Sequence, residues 1–440
     1  MTPRQPTLVA TRRGRRIPTA AAILAAFFAA ASLPAVASTA GWEPDTAALH
    51  VLGATGVKWR YLENEVPSYH LPDPLVRADG TRITTAQDWE QKRRPEILEL
   101  FRRYVYGRAP AKPEQVHFDV FETSTQALAG RATLKRVRIT VSDQAKTFSF
   151  PMALLIPNDG ARPHPAFVLI NTRPVSRADP TRRKVDPFWP AEDLISRGYA
   201  AVVFQADDVD LDKPGESSRV HGVRAVWDGP GQAGEDRWAT LAAWAWGASR
   251  VMDYLQTDPA IDAAKVAIVG HSRGGKASLW AGAQDERFAL VISNDSGHGG
   301  ASLSRRRLGE TIAAINQGFP YWFCGNYARY NDREDELPVD QHELIALVAP
   351  RAVYVASADY DFWSDQRGEF LALAAASPVY ALYGFSTLPS VTMPPLETPV
   401  IRDHMAYHIR RGRHGMLAYD WSRYLDFADR LWPRGKDAKP

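Results

Sequence analysis

The sequence predicts an α/β fold in which helices cover both faces of one mostly parallel sheet, and three observations carry this prediction. Short apolar runs alternate with helix-like segments from about residue 165 onward, which is the pattern of repeated strand–helix units. These runs are continuously apolar, as expected for strands that are buried on both faces. A hydrophobic content of 45% with 23% charged residues fits a globular chain with a large core.

Residues 1–37 predict an export signal that is not part of the fold. Positive charges at Arg12-Arg13-Gly14-Arg15-Arg16 precede an apolar run from Ala20 to Leu33, and Ala35-Val36-Ala37 is a small-residue cleavage site. The apolar run is shorter than the roughly 20 residues of a spanning helix, which disfavours a membrane anchor. We therefore expect a secreted or periplasmic mature chain, free of the membrane, with either general or twin-arginine export.

Residues 38–110 predict an N-terminal segment that wraps around the main domain. The segment is polar and proline-bearing, with one helix expected over Glu90–Tyr104. The main domain is expected over 111–434, and it begins with three alternating stretches typical of antiparallel edge strands. These stretches are Val116–Phe121, Ala132–Val141 and Phe148–Ile156.

The parallel part of the sheet is predicted from five short apolar runs. They are Pro165–Asn171, Ala200–Phe204, Val266–Val269, Leu290–Ser293 and Val353–Ala356. Between the second and third runs, Ala233–Gln256 predicts a long helix that carries Trp238, Trp244 and Trp246. This helix is apolar on all sides, which indicates packing between the sheet and an outer layer. A last helix is expected around Tyr419–Leu431.

Residues Lys265–Gly275 form the most informative segment of the chain. An apolar strand runs into Gly270-His271-Ser272-Arg273-Gly274 and then into a helix-forming stretch from Lys276. Strand, G-x-S-x-G and helix in this order predict a tight turn that exposes a nucleophilic serine, Ser272. The backbone N–H of Arg273 would begin the helix and donate a hydrogen bond to a developing oxyanion.

A serine nucleophile needs a histidine base, and this motif places that base after the serine in the chain. Of the eleven histidines, five follow Ser272: His298, His342, His404, His408 and His414. His414 lies in a loop just before the last predicted helix, where the final active-site loop should fall. We predict His414 as the base and keep His404 and His408 as alternatives.

The acid that orients the base has two candidates, because two strands after the elbow end in carboxylates. Asp295 follows the first strand, and Asp361 follows the second. A carboxylate on the strand nearer the elbow must reach further, and aspartate is a short side chain. Reach therefore favours Asp361 over Asp295, with the other aspartate as a hydrogen-bonded loop cap.

Several classes of partner are excluded by composition and motif. The net charge of +3 and the lack of a basic stripe with interleaved aromatics disfavour nucleic acid. Neither H-E-x-x-H, C-x-x-C nor a glycine-rich phosphate loop occurs, so we expect no metal and no cofactor. The single cysteine, Cys324, rules out an intramolecular disulfide. We expect a monomer.

Further motifs accompany the elbow. It continues as Gly274-Gly275-Lys276 and is followed by Asp295-Ser296-Gly297-x-Gly299-Gly300 and Leu303-Ser304-Arg305. The N-terminal part contains Leu71-Pro-Asp-Pro, Arg93-Arg94-Pro95-Glu96-Ile97-Leu98 and Tyr104-Val105-Tyr106-Gly107. With these motifs, the chain resembles a bacterial glucuronoyl esterase of carbohydrate esterase family 15. The resemblance covers about residues 70 to 430 and implies an α/β-hydrolase three-layer sandwich. It also implies cleavage of the ester between 4-O-methyl-glucuronoyl groups on xylan and lignin alcohols.

The same resemblance assigns roles to individual residues. It implies Ser272 as nucleophile, His414 as base and Arg273 as oxyanion stabiliser through its backbone and guanidinium. Lys276, Glu310 and Trp363 match the sugar contacts of the family. The usual acid position corresponds to Asp295, whereas some bacterial members use the position of Asp361, so both aspartates stay open.

Two other functions remain compatible with the motifs. A general acyl esterase, for example one that deacetylates xylan, would need the same elbow and base. A hydrolase scaffold that binds wall polysaccharide without catalysis would share the fold but not the activity. The expected partner in the first interpretation is glucuronoxylan bearing lignin–carbohydrate esters.

Overall fold

The computed structural model describes residues 41–160, 163–213, 222–228, 234–388 and 392–433. All of these belong to one compact unit, Ser38–Pro440. The predicted export signal at 1–37 lies outside the described residues. Among the residues that the structure describes, no helix is both long and apolar enough to cross a lipid bilayer.

One sheet organises the chain, and the described part of it has ten strands. Their bounds are β1 Gln115–Ala127, β2 Ala132–Asp143, β3 Lys146–Pro157, β4 His164–Asn171, β5 Ala200–Gln205, β6 Ile261–His271, β7 Leu290–Asn294, β8 Ala352–Ala358, β9 Val400–Ile401 and β10 Met405–Arg410. The spatial order is β1-β2-β3-β5-β4-β6-β7-β8-β10-β9. Six neighbouring strands, β5, β4, β6, β7, β8 and β10, are parallel to one another. On one side β3 pairs antiparallel with β5, and on the other β9 pairs antiparallel with β10. The predicted mostly parallel sheet is confirmed.

Helices cover both faces of this sheet. The main ones are α1 Thr46–Ala54, α2 Arg94–Tyr104, α3 Ala191–Ser196, α4 Thr240–Leu255, α5 Arg273–Gln284, α6 Ile312–Gly318, α7 Gln341–Ala346, α8 Gln366–Ala381 and α9 Ala418–Leu431. Single helical turns occur at Ala86–Asp88, Ala206–Val209 and Val223–Trp227, and a π-helical turn at Trp89–Arg93 leads into α2.

Two apolar cores, one on each face of the sheet, make the molecule a three-layer sandwich. Along β4, Val168 and Ile170 pack into the core that includes α4, α5 and α8. Phe167 and Leu169 point the other way, into the core that includes α3 and α9. Side chains alternate across a strand, so a strand buried on both faces is apolar at every position.

The predicted long helix is shorter than expected. It begins at Thr240, whereas the sequence predicts a start at Ala233, and Ala239 is extended. The backbone before Thr240 is used elsewhere: Arg108 N–H donates to the Asp236 carbonyl at 2.8 Å, and Ala239 N–H donates to the Tyr106 carbonyl at 3.1 Å. These hydrogen bonds to residues far away in the chain keep the segment extended. The start of the helix therefore could not be predicted from the local sequence pattern.

The N-terminal residues make specific contacts with the rest of the unit. Arg93 donates to the buried carboxylate of Glu343 at 2.9 Å. The ring of Tyr106 stacks on that of Trp280 in α5 with centroids 4.5 Å apart, and its hydroxyl donates to the Gly299 carbonyl at 2.7 Å. Both contacts lie next to elements that carry predicted site residues. The boundary predicted at residue 110 stays a prediction.

Candidate active site

Ser272 lies at the turn between β6 and α5, in a backbone conformation that most residues avoid. Its φ of 58° and ψ of −128° are outside the common allowed regions and store local strain. The flanking glycines make the turn possible, because a Cβ on Gly270 would lie 2.0 Å from the Gly274 carbonyl oxygen. Ser272 is half-buried, whereas His271 before it is fully buried. The turn thus presents the serine at the end of the sheet.

His414 lies beside this turn and is hydrogen-bonded to Asp361. The Nδ1 atom of His414 is 2.6 Å from Oδ2 of Asp361. The ring of His414 packs against that of His271, with centroids 4.4 Å apart. A carboxylate accepts hydrogen bonds, so Nδ1 carries the proton and Nε2 is left with the lone pair of a base.

Asp295 lies in the same cluster but contacts different atoms. Its Oδ2 accepts from Gly415 N–H at 3.1 Å and from Arg410 Nη2 at 3.3 Å. Burial raises the pKa of Asp295 well above its usual range, and the nearby Asp361 raises it further, against the effect of Arg410. Asp295 therefore holds the backbone after His414, whereas Asp361 holds the imidazole itself.

These same residues are also the group that could hold a metal ion among those the structure describes. One donor atom each from Asp295, Asp361 and His414 lies within 4.8 Å of the others. The hydrogen bond between His414 and Asp361 accounts for this closeness without an ion.

Arg410, at the end of β10, fixes the loop that carries His414. Its Nη1 donates to the carbonyls of Arg411 and Arg413 at 3.0 and 3.2 Å, and Nη2 donates to the Gly415 carbonyl. Its Nε donates to Asp420 in α9 at 2.7 Å. The guanidinium is fully buried, and its N–H groups donate to this loop and to two carboxylates. The position of His414 therefore depends on a planar cation that forms several hydrogen bonds at once.

His271 is neutral and forms part of the wall behind His414. Burial holds the pKa of His271 well below its usual value, and the neighbouring His414 and Arg173 lower it further. The Arg173 guanidinium can only donate, so Nε2 of His271 accepts that bond at 2.7 Å. Nδ1 therefore carries the proton and donates to Oδ1 of Asn294 at 2.7 Å.

Arg273 begins helix α5, and its side chain is fixed by two partners from other segments. Its guanidinium pairs with the carboxylate of Asp212 and donates to the Thr172 carbonyl at 2.9 Å. Asp212 in turn accepts from Tyr321 and from Trp322. The first N–H groups of a helix have no partner within the helix, so the Arg273 N–H is suited to an anion.

Lys276 and Glu310 form a buried ion pair, and Trp363 lies beside them. The Lys276 Nζ is 2.9 Å from Glu310 Oε2 and also donates to the His298 carbonyl. Both residues are below 5% exposed, so Glu310 is buried and its carboxylate pairs with Lys276. Glu310 N–H donates to the Trp363 carbonyl at 2.9 Å, and Trp363 itself is 36% exposed.

The alternative base candidates lie elsewhere in hydrogen-bonded positions. His408 is within β10, fully buried between the Tyr354 hydroxyl and the Asp420 carboxylate. His404 contacts the Pro350 carbonyl and packs on Phe385.

Sequence reasoning missed four residues that shape this region: Arg173, Asp212, His271 and Arg410. Asp212 lies beyond the helical turn that follows β5, but Arg173, His271 and Arg410 share one signal, because each is a polar residue at or just after the carboxyl end of a parallel strand. That end is where open α/β sheets place their sites. The strand that ends in Arg410 was not predicted, so its signal could not be used.

Glu369 of α8 holds the loop that follows Asp295. Its Oε1 accepts the N–H groups of Ser296 and Gly297 at 2.8 and 2.9 Å, and its Oε2 accepts from Ser357 at 2.5 Å. Burial raises the pKa of Glu369 to about 8, because the desolvation of the anion outweighs these hydrogen bonds.

This pKa predicts a pH dependence of stability. Between the unfolded pKa of ~4.3 and the folded pKa of about 8, the folded chain binds more protons, so the free energy of unfolding falls as pH rises. In Glu369→Gln this contribution, at most about 1.4 kcal/mol per pH unit, is lost. We expect urea unfolding between pH 6 and 8.5 to show the variant gaining stability relative to the parent as pH rises. The exposed Glu114→Gln should track the parent, and parallel curves for Glu369→Gln would contradict the assignment.

Comparison with known proteins identifies the family. A family model described as glucuronyl esterase, fungi, matches residues 139–384. The chain belongs to the glucuronoyl esterase family. The carbohydrate esterase MZ0003 of an unknown prokaryotic organism is 40% identical over 400 residues, which cover 84% of this chain and 91% of that protein.

Further relatives of the glucuronoyl esterase family agree with this result. A 4-O-methyl-glucuronoyl methylesterase of Schizophyllum commune is 32% identical over 324 residues, covering 71% of this chain and 74% of that protein. The solved structure of a glucuronoyl esterase from Solibacter usitatus superposes with a TM-score of 0.79 at 41% identity, covering 84% of this chain and all of that one. This chain is a carboxylic ester hydrolase with an α/β-hydrolase fold, and the resemblance seen in the sequence is confirmed.

Proposed function

We propose that this glucuronoyl esterase hydrolyses the ester between (4-O-methyl-)glucuronoyl groups of xylan and lignin alcohols through an acyl-enzyme on Ser272. The observation that carries the proposal is the His414–Asp361 hydrogen bond of 2.6 Å, formed beside the turn that bears Ser272. The name of the Schizophyllum relative supports the acyl group. A serine, an oriented imidazole and a helix N-terminus are the parts that acyl transfer needs.

The first half of the reaction forms the acyl-enzyme. Nε2 of His414 takes the hydroxyl proton as Oγ of Ser272 attacks the C6 carbonyl carbon. The backbone N–H and guanidinium of Arg273 stabilise the tetrahedral oxyanion. As the C6–O bond to the alcohol breaks, the imidazolium gives its proton to the departing oxygen, and glucuronate remains esterified to Ser272.

The second half repeats these roles with water. Nε2 of His414 takes a proton from a water molecule whose oxygen attacks the acyl carbon. Collapse of the second tetrahedral intermediate breaks the bond to Oγ of Ser272, which recovers its proton from His414. The products are free glucuronate and the resting enzyme. Asp361 stabilises the imidazolium in both halves without taking its proton.

The substrate ring is proposed to bind between the elbow helix and the loop that carries Trp363. The ester has no free carboxylate, so its ring hydroxyls need neutral or paired polar groups instead of a strong positive field. The buried Lys276–Glu310 pair offers both a donor and an acceptor with no net charge. The partly exposed Trp363 offers an aromatic surface for a pyranose face.

A comparison of two esters of one alcohol tests the proposal. We expect benzyl glucuronate to be hydrolysed with a kcat/KM at least about tenfold above that of benzyl acetate, since only the first can use binding energy from the sugar ring. The two substrates release the same alcohol, so one assay measures both rates. Equal or reversed preference would favour a general acyl esterase, and no turnover of either would favour a binding scaffold.

A further inference from the structure

Three aromatic side chains form a continuous strip that begins at Trp363. The rings of Trp59 and Trp363 meet edge-on with centroids 5.2 Å apart, and Trp59 meets Tyr61 in the same way at 6.0 Å. Trp363 is 36% exposed, and Trp59 and Tyr61 are half-buried. We call Trp59, Tyr61 and Trp363 the aromatic strip. A single partly exposed aromatic is ordinary, but three that contact one another in series form a contiguous apolar surface of the kind that binds ligands.

The backbone beneath the strip is firmly fixed. Gly309 N–H donates to the Arg60 carbonyl, between Trp59 and Tyr61, at 2.7 Å. Gly309 has a φ of +70°, and a Cβ there would lie 2.5 Å from the Trp363 carbonyl oxygen, so the two chain segments are in close contact. The strip is thus ordered before any ligand arrives, which lowers the entropic cost of binding.

A buried arginine that bonds two carboxylates anchors the same N-terminal segment from its other end. The fully buried Arg306 donates to Glu63 at 2.8 Å and to Asp365, two residues after Trp363, at 2.8 Å. One guanidinium therefore joins the segment that carries Trp59 and Tyr61 to the loop that carries Trp363. Such a bidentate, buried arginine holds two segments in register.

The strip is continuous with the proposed sugar site. Its link runs from Trp363 through the Glu310 backbone to the Lys276–Glu310 pair. In the proposed substrate, the alcohol is bonded through C6 of the glucuronoyl ring, whereas the polysaccharide is bonded through C1. A surface reached through the ring-binding residues suits the polysaccharide.

We propose that Trp59 and Tyr61 form a subsite for the pyranose rings of the polysaccharide that carries the ester. The inference rests on the proposed function and extends it from the acyl group to the main chain of the glycan. Apolar C–H faces of pyranoses pack on aromatic rings, and the nearby Glu63 carboxylate can accept hydrogen bonds from hydroxyls. Both aromatics precede residues 139–384, which the family model matches, so this subsite is a contribution of the N-terminal segment.

The test compares two glucuronoyl benzyl esters, one free and one attached to a xylo-oligosaccharide. In Trp59→Ala, the ratio of kcat/KM for the oligosaccharide ester to kcat/KM for benzyl glucuronate should fall about three- to tenfold, mainly through KM. Tyr61→Ala should lower this ratio less, and Trp59→Phe should restore part of it. Phe121→Ala removes an exposed aromatic on the distant edge strand β1 and should leave the ratio unchanged.

The outcomes separate this inference from the proposed function. An unchanged ratio in Trp59→Ala would overturn the subsite, and a selective loss on the benzyl ester alone would assign the strip to the alcohol. If the parent hydrolyses neither glucuronate, the proposed function fails independently. Binding of xylohexaose to Ser272→Ala, measured by isothermal titration calorimetry, then tests the strip without turnover. Its loss in Ser272→Ala/Trp59→Ala supports the subsite, and equal binding overturns it.

Discussion

Ser272→Ala is expected to lower kcat on benzyl glucuronate by at least about 10⁴-fold. The hydroxyl is the only atom group removed, and without it no acyl-enzyme can form. In the proposed mechanism Arg273 and His414 can still assist a direct attack by water, so a small residual rate is expected. Steady-state hydrolysis with the parent and variant at equal concentration measures the loss.

The stability of this variant separates chemistry from folding. Alanine at position 272 must adopt the same φ of 58°, so the strain of the turn stays nearly the same. We expect the thermal midpoint of Ser272→Ala to lie close to that of the parent. Activity within about tenfold of the parent would exclude Ser272 as the nucleophile.

Asp361→Asn is expected to cause the second-largest loss, of about 10²- to 10⁴-fold in kcat. The amide can turn its NH₂ group toward Nδ1 of His414, and Nδ1 would then have to accept the hydrogen bond instead of donating it. That exchange leaves the proton on Nε2, where the base needs a lone pair. The nearby Asp295 carboxylate limits the loss, because it remains within the same cluster. The pH dependence of kcat/KM measures the change in the imidazole.

Asp295→Asn is the matched control for this prediction. The amide oxygen can still accept from Gly415 N–H, as Oδ2 does in the parent. We therefore expect a smaller loss, of less than about tenfold, and a larger loss in the double variant than in either single one. Near-full activity in both single variants would refute the assignment of the acid to either aspartate, and the reverse order would assign it to Asp295.

Local sequence pattern was sufficient to predict a feature where one short stretch contains all the residues that determine its conformation. The turn at Ser272 needs only a strand, two glycines and a helix in series, so its conformation follows from residues 261–284. Five parallel strands were equally predictable, because burial on both faces makes them continuously apolar, whereas the parallel strand β10, which contains His408 and Arg410, was not predicted. The start of the long helix was not predictable, since the residues just before Thr240 form hydrogen bonds with Tyr106 and Arg108 instead of continuing the helix.

The pairing of side chains from distant strands required the structure. Sequence order placed His414 and both aspartates after Ser272 but left the acid open, because reach depends on the tilt and spacing of β7, β8 and β10. In the structure the imidazole of His414 is hydrogen-bonded to Asp361, whereas Asp295 accepts hydrogen bonds from Arg410 and from the Gly415 N–H. Arg410 itself could not have been chosen, since its role consists of contacts with three separate segments: the loop at 411–415, Asp295 and Asp420.

The amino-acid sequence alone therefore determined the α/β layers, the elbow and the set of candidate side chains, because each of these depends on neighbours within about twenty residues. The tertiary structure alone decided which carboxylate faces the imidazole, that Lys276 and Glu310 are a buried pair, and that Trp59 meets Trp363. These decisions needed the tertiary structure because the contacting residues lie between 34 positions (Lys276–Glu310) and about 300 positions (Trp59–Trp363) apart in the chain, beyond the reach of local pattern.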